Sequence, residues 1–240
     1  MGDRQFFWPQ GIFFFACARA HARSKARRSF APLVVLLFAA FVLPVFAAPL
    51  SIEQAKLRLN DPKSDARIEG ILALKTYRQI ESAQALQAAL AIETDPQVQL
   101  ALLDGIGVMP ELVSARALNP LVTHTLVPIR MRAIYILGLI GGRPAERILS
   151  QVILRETDSD VKAMALQSLS LCGSSESVDE IQKALYDKRP AVRAKAAESL
   201  RHIPGKASEK TLEAALSDSD PKVRDIAQKA LAKRKAKGKK

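Results

Sequence analysis

One pattern recurs six times from Asp61 to the C-terminus, and it leaves little freedom in what the chain can fold into. Each copy has a β-branched or small residue, a basic or polar one, then small and apolar residues three or four apart. The copies read Ala66-Arg67-x-x-Gly70-x-x-Ala73-Leu74, Val98-Gln99-x-x-Leu102-x-x-Gly105-Ile106 and Ile129-Arg130-x-x-Ala133-x-x-Ile136-Leu137. They continue as Val161-Lys162-x-x-Ala165-x-x-Ser168-Leu169, Val192-Arg193-x-x-Ala196-x-x-Ser199-Leu200 and Val223-Arg224-x-x-Ala227-x-x-Ala230-Leu231. The closing position returns every 31 or 32 residues. A fixed period of that size marks a stacked-repeat protein.

Within each copy the apolar positions fall on one face of an α-helix, here called B. Asp95-Pro96, Asp158-Ser159 and Asp220-Pro221 stand where a B helix opens. Aspartate accepts from the free N–H groups of a first turn, and proline there has no N–H to leave unpaired. Second helical stretches, called A, fall at 82–92, 144–156, 176–186 and 207–217. One pair cannot bury both its faces; six stacked pairs make a continuous core. The expected fold is all-α, a right-handed α-solenoid of about six helix pairs over residues 48–232. Small residues at 70, 133, 165, 196 and 227 are expected to let neighbouring B helices approach closely.

Asp-Pro-x-Val-Arg-x-x-Ala-x-x-Ala-Leu resembles the HEAT repeat in the short form of phycobilisome lyases, and Asp220 through Leu231 fit it best. The resemblance covers residues 60–232 and implies the fold. About function it implies little, since the family holds scaffolds, adaptors and a few enzymes.

The first 47 residues are of another kind. All nine phenylalanines and the single tryptophan precede Ala47. Arg23, Lys25, Arg27 and Arg28 lead into an apolar run from Ala31 to Phe46, followed by Ala47-Ala48. That is the layout of a secretory signal peptide, expected to be cut after Ala47. Left uncut, 31–50 is long enough to anchor the chain in a bilayer, with the solenoid still outside. Arg27-Arg28 also resembles a twin-arginine export signal, or stands as a chance pair in a basic region. Either way an exported protein of the bacterial periplasm or envelope is expected.

Net charge is +12, but it sits at the two ends. Between residues 48 and 228 basic and acidic residues balance. Lys233, Arg234, Lys235, Lys237, Lys239 and Lys240 form a like-charge run, expected to be a disordered tail. It would touch an anionic membrane or cell-wall polymer, or serve as a solvated end. Past the leader the aromatics are Tyr77, Tyr135 and Tyr186, too few for base stacking, so nucleic acid is not the expected partner.

The basic column Arg67, Arg130, Lys162, Arg193 and Arg224, with Gln99 completing it, is open to two readings. It is a ladder for anions, or it bonds to Asp95, Asp158 and Asp220 of adjoining turns and fixes one repeat to the next. The resemblance to HEAT proteins implies the structural role. His124 and His202 stand 78 residues apart, outside any His-Glu pair of the kind HEAT-repeat hydroxylases carry. No Gly-x-Ser-x-Gly elbow or phosphate loop occurs. Asp158/Asp160 and Asp218/Asp220 read as caps before they read as cation sites, and Gly105, Gly107, Gly141 and Gly142 as left-handed turns at helix-B ends. Cys172 reads as a small buried residue.

No catalytic residue, cofactor or metal is therefore expected. The expected function is a scaffold or adaptor for a protein partner of unknown identity. A membrane-held sensor and a lyase-type enzyme or chaperone are the competitors. The third copy, which lacks the Asp-Pro start and carries Met131, Arg132 and Tyr135, is the candidate partner surface.

Overall fold

The computed structural model describes residues 49–172, 174 and 177–237. The leader, with its cleavage site and anchor alternative, lies outside these residues, as do Lys239 and Lys240. Among the described residues no helix is long and apolar enough to cross a membrane.

Twelve α-helices and no strand are found among the described residues, arranged as an α-solenoid of six units. The first unit pairs α1 (Ile52–Arg58) with α2 (Ser64–Tyr77), and the second pairs α3 (Ile80–Ile92) with α4 (Pro96–Gly107). In the third, α5 (Ala115–Leu118) precedes α6 (Val127–Ile140). The fourth holds α7 (Gly142–Arg155) and α8 (Ser159–Cys172). The last two are α9 (Ser177–Ala184) with α10 (Pro190–Leu200), and α11 (Lys206–Ala215) with α12 (Pro221–Lys237). Even-numbered helices are the B layer. Each but the last packs on the B helix of the next unit, and each packs on its own partner.

Local chemistry sets the ends. Ser51 and Gln54 form a reciprocal capping box on α1. Asp95, Asp158 and Asp220 each accept from two N–H groups of the turn that follows them, at 2.8–3.4 Å. The third A element departs from the rest. Pro110 and Pro120 each open a short 3₁₀ turn, 110–112 and 119–123, on either side of the four-residue α5. Proline lacks the N–H that a longer helix would need at those positions.

The core is built mainly from the B helices. Ile71, Leu74, Leu102, Ile106, Ile134 and Leu137 are fully buried, each contributing about 1.5–3 kcal/mol of transfer free energy. Close B–B approach occurs at Gly138, where an added Cβ would lie 2.8 Å from the Cα of Ser168. Gly70, expected to serve that purpose, instead meets Ala55 O and Arg58 Cβ of its own A helix. Gly141 and Gly142 have positive φ as expected. Gly105 and Gly107 do not. Gly105 gives space to Leu86 and Ile71 inside α4.

The terminal basic run is a further correction. Lys233, Arg234, Lys235 and Lys237 continue α12 rather than forming a disordered tail. The reason lies in Arg234. Its guanidinium reaches back to donate to the carbonyls of Leu200, Ile203 and Gly205 and to Ser208 Oγ, supplying carbonyls near the end of α10 that the helix leaves free. Lys233 and Lys235 are exposed.

Candidate functional site

The repeated cations do join one unit to the next, through acids other than those expected. Arg67 Nε lies 2.7 Å from Glu93 Oε2, and its Nη2 lies 3.1 Å from Oε1. Arg130 Nε meets Glu156 at 3.1 Å, and Lys162 Nζ meets Asp187 at 3.2 Å. Arg193 grips Asp218 with two bonds of 2.8 and 3.0 Å. These side chains are only 10–16 % exposed.

Geometry explains the choice. Each acid stands six residues before the cation position of its own unit, on the turn between A and B. Its second oxygen accepts backbone N–H groups of that turn: Glu93 Oε1 from Thr94 and Asp95, Glu156 Oε1 from Thr157 and Asp158. The arginines tie the other end. Arg130 Nη1 donates to the His124 and Thr125 carbonyls, and Arg193 Nη1 to that of Asp187. Asp95, Asp158 and Asp220 are occupied in capping their own helices. Arg193 draws the Asp218 carboxyl below its ordinary range, outweighing burial. Glu93 is lowered as well: burial pushes it up, and the N–H groups of Asp95 and Thr94 together with Arg67 overcome that push.

One rung is missing. In the second unit the cation position holds Gln99, and the acid position of the third holds His124. Gln99 Nε2 donates to Glu93 O, while its buried Oε1 has no partner among the described residues. His124 Nδ1 accepts from Leu126 N–H, doing for its turn what the carboxylates do elsewhere. Arg224, in the last unit, donates to the Asp218 and Ser219 carbonyls.

Residues 146–232 match the family model for HEAT repeats. This stretch carries HEAT repeats. No curated protein matches the chain. Among solved structures, the complex of CpcE and CpcF of phycocyanin lyase from Nostoc sp. PCC7120 is similar at 18 % identity and a TM-score of 0.55, covering 78 % of each chain. A designed armadillo repeat protein in complex with the peptide (KR)4 is 16 % identical with a TM-score of 0.54, over 76 % of this chain and 99 % of that one. Mini spindles TOG3 of Drosophila melanogaster is 14 % identical with a TM-score of 0.53, over 77 % and 94 %. These likenesses concern the fold.

The exposed face of the B layer carries two of the three suspected partner residues, Arg132 and Tyr135, but not Met131. Tyr135 projects from α6, 39 % exposed. Arg132 is exposed and pairs with Asp104 of the preceding unit at 3.1 Å. Met131 is half-buried and packs on the core. Sequence reasoning missed a neighbouring column. Val108, Leu139 and Leu171 occupy the same repeat position in three successive units, and all are exposed. Their spacing of 31 and 32 residues was the available signal. Cys172, half-buried at the end of α8, donates to Ser168 O at 3.6 Å. Burial and then Glu146 push its thiol up to about 11, which keeps it protonated and unreactive. Among the described residues no three His, Cys, Asp or Glu side chains are grouped to hold a metal.

Proposed function

We propose that this protein is an exported, non-catalytic scaffold that binds a protein partner across the B layer of its middle HEAT units. The observation that carries it is the exposed column Val108, Leu139 and Leu171 beside Tyr135. Leu139 and Leu171 stand on adjoining helices and Val108 caps the end of α4; the Arg132–Asp104 pair lies on α6 and α4, and Lys195 and Glu198 line a cleft with Leu171. An apolar centre with a charged rim is the anatomy of a protein interface. Neighbours of this fold support a protein partner: one holds the peptide (KR)4, and CpcE and CpcF form a complex with each other.

Export rests on the composition of residues 1–47, with the mature chain lying in the bacterial periplasm or at the envelope. The exposed Lys233 and Lys235, with Lys237, Lys239 and Lys240, supply a basic end that contacts an anionic envelope surface.

Crosslinking in cells, purification from the envelope fraction and mass spectrometry test the scaffold role. One stoichiometric partner is expected, lost in Leu139→Glu and Leu171→Glu. A soluble monomer that captures nothing, from wild type and variants alike, would overturn it.

A further inference from the structure

The described arginines are nearly all engaged. Those with no hydrogen bond or ion pair among the described residues are Arg116, Arg147 and Arg155. All three line one trough on the A layer, between the broken third A element and α7. Two cavities of about 520 and 530 Å³ share Asn119, Ile148 and Gln151 and so run into each other along α7. The trough exists because Pro110 and Pro120 shorten the wall opposite α7.

Its charge was hidden by averaging. From residue 112 to 145 there is no Asp or Glu, in a solenoid whose charges otherwise balance. Arg143, Arg147, Gln151 and Arg155 follow at every fourth position, which places them along one side of α7. Nearby acids are committed elsewhere: Glu156 to Arg130, Glu146 to Ser174 Oγ, and Glu180 to Lys183.

We propose that this trough docks an acidic, extended peptide segment of a partner protein. Guanidinium groups match carboxylates in fork geometry. Asn119 and Gln151, one from each wall, offer the donor and acceptor pair that a peptide backbone requires. Pro120, Val122 and Val152 give alternate side chains an apolar floor. Among the described residues no aromatic ring lines either cavity, so nucleic-acid bases find no platform there. From Arg143 to Arg155 the helix is about 18 Å long, the span of about five or six extended residues. The site is on the A layer, separate from the B-layer column, and the two stand or fall independently.

The test is fluorescence anisotropy with a labelled peptide of alternating Glu and Val, titrated with the chain from residue 48 onward. Saturable binding that weakens with added salt is expected. Arg147→Glu and Arg155→Glu should each weaken it about tenfold or more, one lost charged contact being worth about that factor. Arg147→Ala should weaken it less, and Lys210→Glu, an equal charge change on α11, should leave it unchanged. Circular dichroism confirms that each variant is folded. Absence of peptide binding, equal weakening by Lys210→Glu, or binding of heparin or phosphatidylglycerol vesicles through these arginines without the peptide would overturn the proposal.

Discussion

Arg193 Nε lies 2.8 Å from Asp218 Oδ2, and through that bond α10 holds the turn from which α12 starts. The same relation recurs at Arg67–Glu93, Arg130–Glu156 and Lys162–Asp187. Stacked helices can slide or rotate past one another on apolar contacts alone. A charged bond at a repeated place fixes the register between units.

Removing one such bond should be costly because the acid left behind is mostly shielded from water. Arg193→Ala is expected to lose about 2 kcal/mol, the scale of hydrogen bonds to charged groups. The thermal midpoint should fall by about 4–8 °C. Arg132→Ala, which breaks the exposed pair with Asp104, should cost under about 1 kcal/mol. Melting curves of the two variants, side by side, check both values.

The missing rung can be installed. Gln99→Arg combined with His124→Glu should be more stable than the sum of the single changes by about 1 kcal/mol, read from a double-mutant cycle in urea. Additive effects would mean that the geometry of this interface cannot host the pair.

Acid should unlock the ladder. Glu93, Asp187 and Asp218 have folded-state values below their ordinary ones. Their contribution is therefore complete above about pH 5, where the unfolded groups are ionised too, and is lost as pH falls through the lower folded values. The urea midpoint should stay flat from about pH 7 to 5 on this account and drop below about pH 4. Arg193→Ala, which removes the main cause of the Asp218 shift, should show a shallower drop.

Arg234 should behave as part of the fold and Lys235 as part of the surface. Arg234→Ala removes the donors to Leu200 and Ile203 and should cost about 1–3 kcal/mol, with amide exchange rising first in α10 to α12. Lys235→Ala should be within about 0.5 kcal/mol of wild type. A deletion of 233–240 used to probe envelope attachment would remove both roles at once, so a lysine-only replacement is the cleaner variant.

Much of this was legible from the 31- and 32-residue spacing. The B helices, their aspartate caps and the existence of a unit-to-unit ladder all follow from it. Its acids were missed because they alternate among Glu, Asp and His in a turn, while the capping aspartates repeat more visibly. Six residues before each cation was the place to look. Arg234 was missed because a like-charge run reads as solvated. Carried three residues past Leu231, however, the same period puts Arg234 in register with Ile203, Cys172, Ile140 and Met109, all buried or half-buried. The trough was missed because net charge was summed over the whole solenoid and not over the third unit.

An array bonded at four of its five junctions behaves like springs in series with one softer than the rest. The Gln99–His124 junction keeps the exposed Arg132–Asp104 pair and loses the shielded one. Compliance then concentrates at a single place, with units one and two on one side and three to six on the other. A partner that grips both sides does work chiefly against that joint. Pulled between its ends in an optical trap, the array should give way there first, in one step shorter than full extension.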